Sequence, residues 1–375
     1  MTSTPDVTTD GGAPSAVEYA VIPSSRPKTT AERTAALEKL SFGSEFTDHM
    51  ARVAWTVDGG WHGHRVEAFG PISLSPAASV LHYAQEIFEG LKAYRHADGS
   101  VWAFRPEANA DRFNRSARRM AMPELPVEDF LGSIRALVQT DLEWVPASPG
   151  ASLYLRPMMI ATEPFLGVRP AHLFEYMLIA SPVGPYFVRG FQPVSIWVEH
   201  SYHRAGPGGT GAAKFGGNYA ASLLPQQKAL AKGFEQVCFL DAGSGANVEE
   251  LGGMNVFVVG SDGVVRTPAL TGSILEGVTR SSIIALLQEQ GVTVEESDIP
   301  LAGLLAGIGD GSVTEVFACG TAAVITPIGR LAGDDFDVTV GDGAAGPTTT
   351  RLYTELTDIQ FGRAADTHGW MTQLV

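Results

Sequence analysis

Apolar residues recur along the chain with two periods, and the changes of period mark the elements. Val53-Ala54-Trp55-Thr56-Val57 runs into Asp58-Gly59-Gly60, which predicts a strand closed by a hairpin turn. Val101-Trp102-Ala103-Phe104 follows a turn at Asp98-Gly99 and reads as another strand. Two helices are predicted next. One opens near Asn109 and carries Phe113, Ala117 and Met120 at helical spacing; the other carries Phe130, Ile134, Leu137 and Val138 on one face. Residues 152–155 and 176–180 read as strands, and Ser181-Pro182-Val183-Gly184-Pro185 as a stiff, turn-rich domain boundary. Beyond it the pattern predicts a strand over 194–198, a glycine-rich loop over 206–217 and a helix over 219–232. Strands follow at 237–240 and 255–259, and Ser261-Asp262-Gly263 turns the latter into Val264-Val265-Arg266. Thr279 is a candidate cap for a helix through Ile283, Ile284, Leu286 and Leu287 to Gly291, and 313–317 reads as a strand. Strands and helices are mixed rather than alternating, and no repeat is present, so the expected class is α+β. The expected organisation is a loosely held tail over 1–35, a small α/β domain over 36–182, a linker over 183–190 and a larger domain over 191–375.

Composition narrows the function. The length of 375 residues suits two domains, and 45% hydrophobic with 18% charged residues is a globular balance. A net charge of −15 repels nucleic acid and anionic membrane, so neither is an expected partner. The two cysteines, Cys238 and Cys319, sit among apolar residues and form neither a disulfide framework nor a zinc spacing; buried thiols in a reducing cytoplasm are expected. The first 16 residues are polar, lack an apolar run and read as a disordered tail rather than a signal peptide. No apolar run reaches the roughly 20 residues a membrane helix needs.

Gly206-Pro207-Gly208-Gly209-Thr210-Gly211 matches G-x-G-x-x-G, but a dinucleotide loop follows its strand at once and opens a helix. Here residues intervene after Val198, and Gly216-Gly217 are expected to interrupt any helix begun at Gly211. Lys214, between Ala213 and Phe215, lacks the Ser or Thr of a triphosphate loop. What remains is a lone lysine in Gly211-Ala212-Ala213-Lys214-Phe215-Gly216-Gly217. Small residues let a planar group approach the backbone, and apolar neighbours desolvate an amine and make it nucleophilic. Schiff-base chemistry and a surface lysine in a loop both fit this segment taken alone.

Six segments occur in order: Phe88-Glu89-Gly90-Leu91-Lys92, Leu153-Tyr154-Leu155-Arg156-Pro157, Lys214-Phe215-Gly216-Gly217-Asn218-Tyr219, Glu249-Glu250-Leu251-Gly252-Gly253-Met254-Asn255, Gly277-Val278-Thr279-Arg280 and Gly320-Thr321-Ala322-Ala323. Together they closely resemble the branched-chain aminotransferase family, of the D-amino-acid-aminotransferase-like fold, from about Phe42 to the C-terminus. The resemblance implies pyridoxal 5'-phosphate held as a Schiff base on Lys214, whose freed amine then moves the proton at the substrate Cα. It implies Glu250 against the pyridine nitrogen, Tyr219 on the phenolic oxygen, and Arg112, Val278, Thr279 and Thr321 around the phosphate. Backbone N–H groups of Thr321 and Ala322 would take the substrate carboxylate. Tyr83, Phe88 and Tyr186, with Tyr154 and Arg156 nearby, match the side-chain pocket. Leu166 and Val168 match a loop that reaches into the partner subunit's site, which implies a homodimer. The implied substrates are small: branched-chain amino acids, their 2-oxo acids, and glutamate with 2-oxoglutarate.

Two departures are visible. Ala323 and Thr326 stand where some members carry a Cys-x-x-Cys redox pair, and Gly253 stands where some carry threonine. His62 and His64 share a strand face without a third ligand nearby, so exposed strand residues are expected rather than a metal site. Rival readings are a D-amino-acid aminotransferase or an aminodeoxychorismate lyase of the same fold, and a dinucleotide-binding oxidoreductase built on the Gly206 loop.

Overall fold

The structure, a computed structural model, describes residues 17–184, 186 and 190–375; the tail expected over 1–16 and part of the expected linker lie outside the described residues. In the first part of the chain the strands are β1 (Ala20–Val21), β2 (His49–Thr56), β3 (Gly60–Ala68), β4 (Glu86–Phe88), β5 (Leu91–Arg95), β6 (Val101–Phe104), β7 (Ser152–Ala161) and β8 (Leu173–Val183). The helices are α1 (Thr30–Leu37), α2 (Ser79–Tyr83), α3 (Pro106–Arg119) and α4 (Val127–Thr140). The strands order as β1-β3-β2-β8-β7-β5-β6, with β4 on β7. Only β1 pairs in parallel; the other pairings are antiparallel. The expected apolar faces of α3 and α4 are the buried ones: Phe113, Ala117, Phe130, Ile134, Leu137 and Val138 pack in one core with Val53, Tyr176 and Leu178 of the sheet. Each large side chain among them contributes about 1.5–3 kcal/mol by leaving water.

The second part supplies β9 (Val194–Glu199), β10 (Gln236–Leu240), β11 (Val248–Leu251), β12 (Asn255–Gly260), β13 (Val265–Thr267), β14 (Val294–Glu296), β15 (Val313–Gly320), β16 (Val324–Ala332) and β17 (Asp337–Thr339). Its helices are α5 (Gly216–Ala231), α6 (Val278–Glu289), α7 (Leu301–Asp310) and α8 (Pro347–Gln360). The sheet order is β11-β10-β9-β16-β15-β12-β13-β14, with β17 on β16. Alternation explains the unbroken apolar run in β12: Val256 and Val258 face the core shared with α7, while Phe257 and Val259 face the core shared with α6 and α8.

The order of the chain differs from expectation at four places. Tyr19 is buried and donates to the Asp129 carbonyl at 2.8 Å, β1 pairs with β3, and a Thr29–Glu32 capping box starts α1, so the described stretch before residue 36 is held rather than loose. Ser181, Pro182 and Val183 extend β8 instead of forming a turn. Pro182 lies past the stretch of β8 that pairs with β2, where one missing N–H is tolerated. Gly216 and Gly217 open α5 rather than interrupting a helix. Finally, β18 (Met371–Gln373) returns to the first sheet and pairs with β6, with Leu374 in the first core, so the last residues do not belong with the 191–375 unit. No helix among the described residues is long and apolar enough to cross a membrane.

Candidate active site

Segments distant in sequence fix the backbone around Lys214. The Lys214 N–H donates to Ser116 Oγ of α3 at 2.9 Å, and the Phe88 N–H donates to the Lys214 carbonyl at 3.0 Å. Asn218 at the start of α5 donates to the Thr210 and Ala213 carbonyls at 2.8 and 3.0 Å, which ties down the glycine-rich loop. Gly211 must lack a Cβ because the Ser273 carbonyl oxygen occupies that space. Gly211→Ala is therefore expected to cost about 1–3 kcal/mol of unfolding free energy, measurable by denaturant titration, because backbone rather than a side chain tip must yield. Gly216 accommodates Glu86, whose carboxylate accepts from the Gly216 N–H at 2.5 Å and occupies the start of α5 in place of a local cap.

These ties leave the Lys214 amine in an open cleft, 2.9 Å from the Tyr219 hydroxyl and 5.0 Å from the centre of the Phe88 ring. At one end Arg112 is buried and forms a two-point ion pair with Glu89, at 2.7 and 2.8 Å. Glu89 also accepts from Asn109 and from the Gly90 N–H. Burial works against the Glu89 charge, but Arg112 outweighs it and holds the carboxyl below its usual range. Beside Arg112 stands the first turn of α6, whose Val278 and Thr279 line the cleft. The cap of this helix is Gly277, not Thr279, which lies inside the first turn; position 277 must be glycine because a Cβ there would collide with the Asn255 carboxamide. Glu250 of β11 is buried, paired with Arg204, and accepts from the Leu275 N–H at 3.0 Å. Burial pushes its carboxyl above the ordinary value, against the pull of Arg204 and Leu275, which makes it a stronger proton acceptor. Glu249 points the other way, onto Ser273, as strand alternation expects.

An aromatic wall closes another side. Phe42 meets Tyr154 and Tyr186 edge-on at 4.9 and 5.2 Å between ring centres, and Arg156 lies 4.8 Å over Phe88 while donating to the Tyr154 hydroxyl at 3.1 Å. The buried Arg156 Nε has no partner among the described residues. Gly320, which ends β15, and Thr321 and Ala322 just after it complete the lining.

The sequence pattern described as amino-transferase class IV matches residues 86–331. The chain belongs to the class IV aminotransferases. A branched-chain-amino-acid aminotransferase of Mycolicibacterium smegmatis is 54% identical over 96% of this chain and 98% of its own length. Among solved structures, the branched-chain amino acid aminotransferase of Escherichia coli superposes with a TM-score of 0.72 at 29% identity, covering 87% of this chain and all of that one. A T.th. branched-chain amino acid aminotransferase, solved with pyridoxamine 5'-phosphate, gives 0.70 at 29% identity over 87% and 99% of the two chains.

Class IV aminotransferases work with pyridoxal 5'-phosphate, and the donor set fits that group. The Lys214 amine faces the cleft, a buried carboxylate suits a ring nitrogen, and the phosphate would meet a guanidinium and a helix N-terminus. Of the residues expected from sequence, Arg112, Lys214, Tyr219, Glu250, Val278, Thr279, Thr321, Ala322, Phe88, Tyr154, Arg156 and Tyr186 line this one cleft. Tyr83 does not. It ends α2 on the surface, 41% exposed, and its hydroxyl donates to the Leu166 carbonyl. Leu166 and Val168 share that surface, 61% and 88% exposed. The Gly206 loop sits between β9 and α5 but opens no helix at Gly211, which removes the dinucleotide geometry. His62 bonds the Gly60 carbonyl and His64 bonds Asp129, and no metal-ligating cluster is found among the described residues.

Sequence reading missed Phe42, Arg204 and Asn255. Arg204 is buried and joins Glu250 to the Gly211 and Ser273 carbonyls, yet it lies in an irregular loop where no periodicity or motif marks it. Cys319 lines the cleft but is buried, and burial pushes its thiol up, so it is no nucleophile.

Proposed function

We propose that this chain reversibly transfers an amino group between L-leucine, L-isoleucine or L-valine and 2-oxoglutarate, in two half-reactions. The observation that carries the reading is the Lys214 amine beside the Tyr219 hydroxyl, in a cleft with a buried carboxylate, an anion-binding end and an aromatic wall. Bound pyridoxal 5'-phosphate supplies the carbonyl carbon for the linkage and the electron-withdrawing ring. Lys214 would hold that carbon before substrate arrives, and its freed amine would then move the proton between the substrate Cα and the cofactor carbon. Tyr219 donates to the phenolic oxygen. Glu250 keeps a proton on the ring nitrogen, and Arg204 keeps Glu250 in place.

Arg112, the first turn of α6 at Val278 and Thr279, and the Thr321 hydroxyl hold the phosphate. The N–H groups of Thr321 and Ala322 hold the substrate carboxylate. A Cβ at Gly253 would reach only van der Waals contact with Tyr219, so the missing threonine leaves room for water in its place. Phe88, Tyr154 and Tyr186, joined by Phe42, receive the aliphatic side chain. The same pocket admits glutamate because Arg156 and the tyrosine hydroxyls meet the second carboxylate. Tyr83, Leu166 and Val168 pack into the partner subunit's site in a cytoplasmic homodimer that binds neither nucleic acid nor membrane. The cofactor lies between a smaller N-terminal and a larger C-terminal domain.

Steady-state rates with 2-oxoglutarate and a panel of amino acids test the reading. Leucine carries three more carbons than alanine, at about 0.8 kcal/mol each, so kcat/KM is expected to favour leucine by about fiftyfold. Comparable rates with L-alanine, L-aspartate or D-alanine, or lyase activity on aminodeoxychorismate, would overturn it.

A further inference from the structure

Lys92 is a buried cation that the proposed reaction leaves unused. It lies on β5, pairs across the ladder with Tyr154 and therefore shares a sheet face with a residue of the aromatic wall. The residue is 7% exposed, and Nζ donates to the Ala322 carbonyl at 2.9 Å, across 230 residues of sequence. Among the described residues no carboxylate pairs with it. Burial pushes its ammonium down to about 8. An ammonium facing one neutral acceptor leaves positive potential that a nearby anion would offset.

The carbonyl it holds belongs to the turn between β15 and β16. Val324, which opens β16 directly after that turn, has φ 62, a β-branched residue in the left-handed region. Such a conformation persists only where the surroundings fix it, and the Lys92 bond holds the turn two residues before it. Thr321 and Ala322 of the same turn line the cleft.

We infer that Lys92 is a positioning residue for the substrate carboxylate. It anchors the turn through Ala322, and its charge favours an anion on the cleft side of that turn. This rests on the assignment of the Thr321 and Ala322 N–H groups to the substrate carboxylate.

The test compares two inhibitors of the holoenzyme: 4-methylvaleric acid, which is leucine without its amino group, and the neutral 4-methylpentanamide. Lys92→Gln keeps a donor for the Ala322 carbonyl but removes the charge; Lys92→Arg keeps the charge. In Lys92→Gln the acid is expected to bind on the order of tenfold more weakly, while the amide and cofactor content are unchanged. KM for leucine rises with kcat largely kept, and Lys92→Arg recovers most of the acid's affinity. Equal weakening of acid and amide, or no weakening of either, overturns the inference. So does loss of folded holoenzyme in both variants, which would assign Lys92 to the scaffold. Failure of the underlying carboxylate assignment shows separately, as no preference for acid over amide in the unsubstituted enzyme, and the inference falls with it.

Discussion

Replacing Lys214 by alanine is expected to lower transamination by at least about 10³-fold, with the chain still folded. Two functions leave together: the covalent hold on the cofactor and the amine that moves the Cα proton, and the second alone is worth about 10²–10⁴-fold. The fold should survive because the ties that place this segment are made by backbone, through Ser116 Oγ and the Phe88 N–H, and by Asn218 rather than by the lysine side chain. Circular dichroism and a denaturation curve check the fold. Borohydride reduction followed by peptide mapping checks the linkage: unsubstituted enzyme should yield a modified peptide containing residue 214, and Lys214→Ala none. An active enzyme whose residue 214 stays unmodified after reduction would remove the mechanism. Lys214→Arg separates charge from chemistry, since a guanidinium keeps the cation over Phe88 and Tyr219 but does not form the linkage.

The parts of this site that were legible in the sequence came through the family resemblance, and around Lys214, Val278 and Thr279 that resemblance has a physical counterpart in glycines that cannot be replaced. Gly211 must yield to a carbonyl and Gly216 to a carboxylate, and Gly277 must yield to an amide, so the glycine pattern around the functional groups is written into the chain. Arg204 has no such neighbours. Its partners come from β11, the 211 loop and Ser273, and only the folded chain brings them together. Helix faces were legible for a similar reason. In α3 and α4 one face is buried, so the periodicity survives. The boundaries were not, because they are set by tertiary groups. Glu86, for example, accepts from the Gly216 N–H where α5 begins and stands in for a local cap. The return of β18 to the first sheet was equally hidden, since three residues carry too little pattern to reveal a partner more than two hundred and fifty positions away. Tyr83 is a different case. The family pattern places it at an active site, and within this chain it lies away from the cleft with its hydroxyl on the Leu166 carbonyl, where the proposed homodimer would bring it to a second subunit's site.

Arg112→Met is expected to cost about 3–5 kcal/mol of stability near neutral pH and to weaken cofactor retention as well. Glu89 is wholly buried and its charge is balanced mainly by the Arg112 guanidinium; Asn109 and the Gly90 N–H do not replace a cation. In the unsubstituted protein the Glu89 carboxyl is held below its usual range, so the pair's contribution is present above the unfolded carboxylate pKa and is lost as pH falls through the folded one. Without Arg112 the sign reverses: burial outweighs the remaining pulls of Lys214 and Asn109 on Glu89 and raises its folded pKa. The variant's deficit should then be largest at neutral pH and shrink as pH falls through the variant's raised folded pKa toward the unfolded value of about 4. Denaturant titrations of both proteins between about pH 4 and 8 measure this directly. A deficit independent of pH would mean that lost packing, not an unbalanced charge, carries the cost. Arg112→Met, Glu89→Met should recover part of the stability, because two apolar side chains can replace a buried ion pair, yet it should not recover phosphate binding, which needs the guanidinium itself.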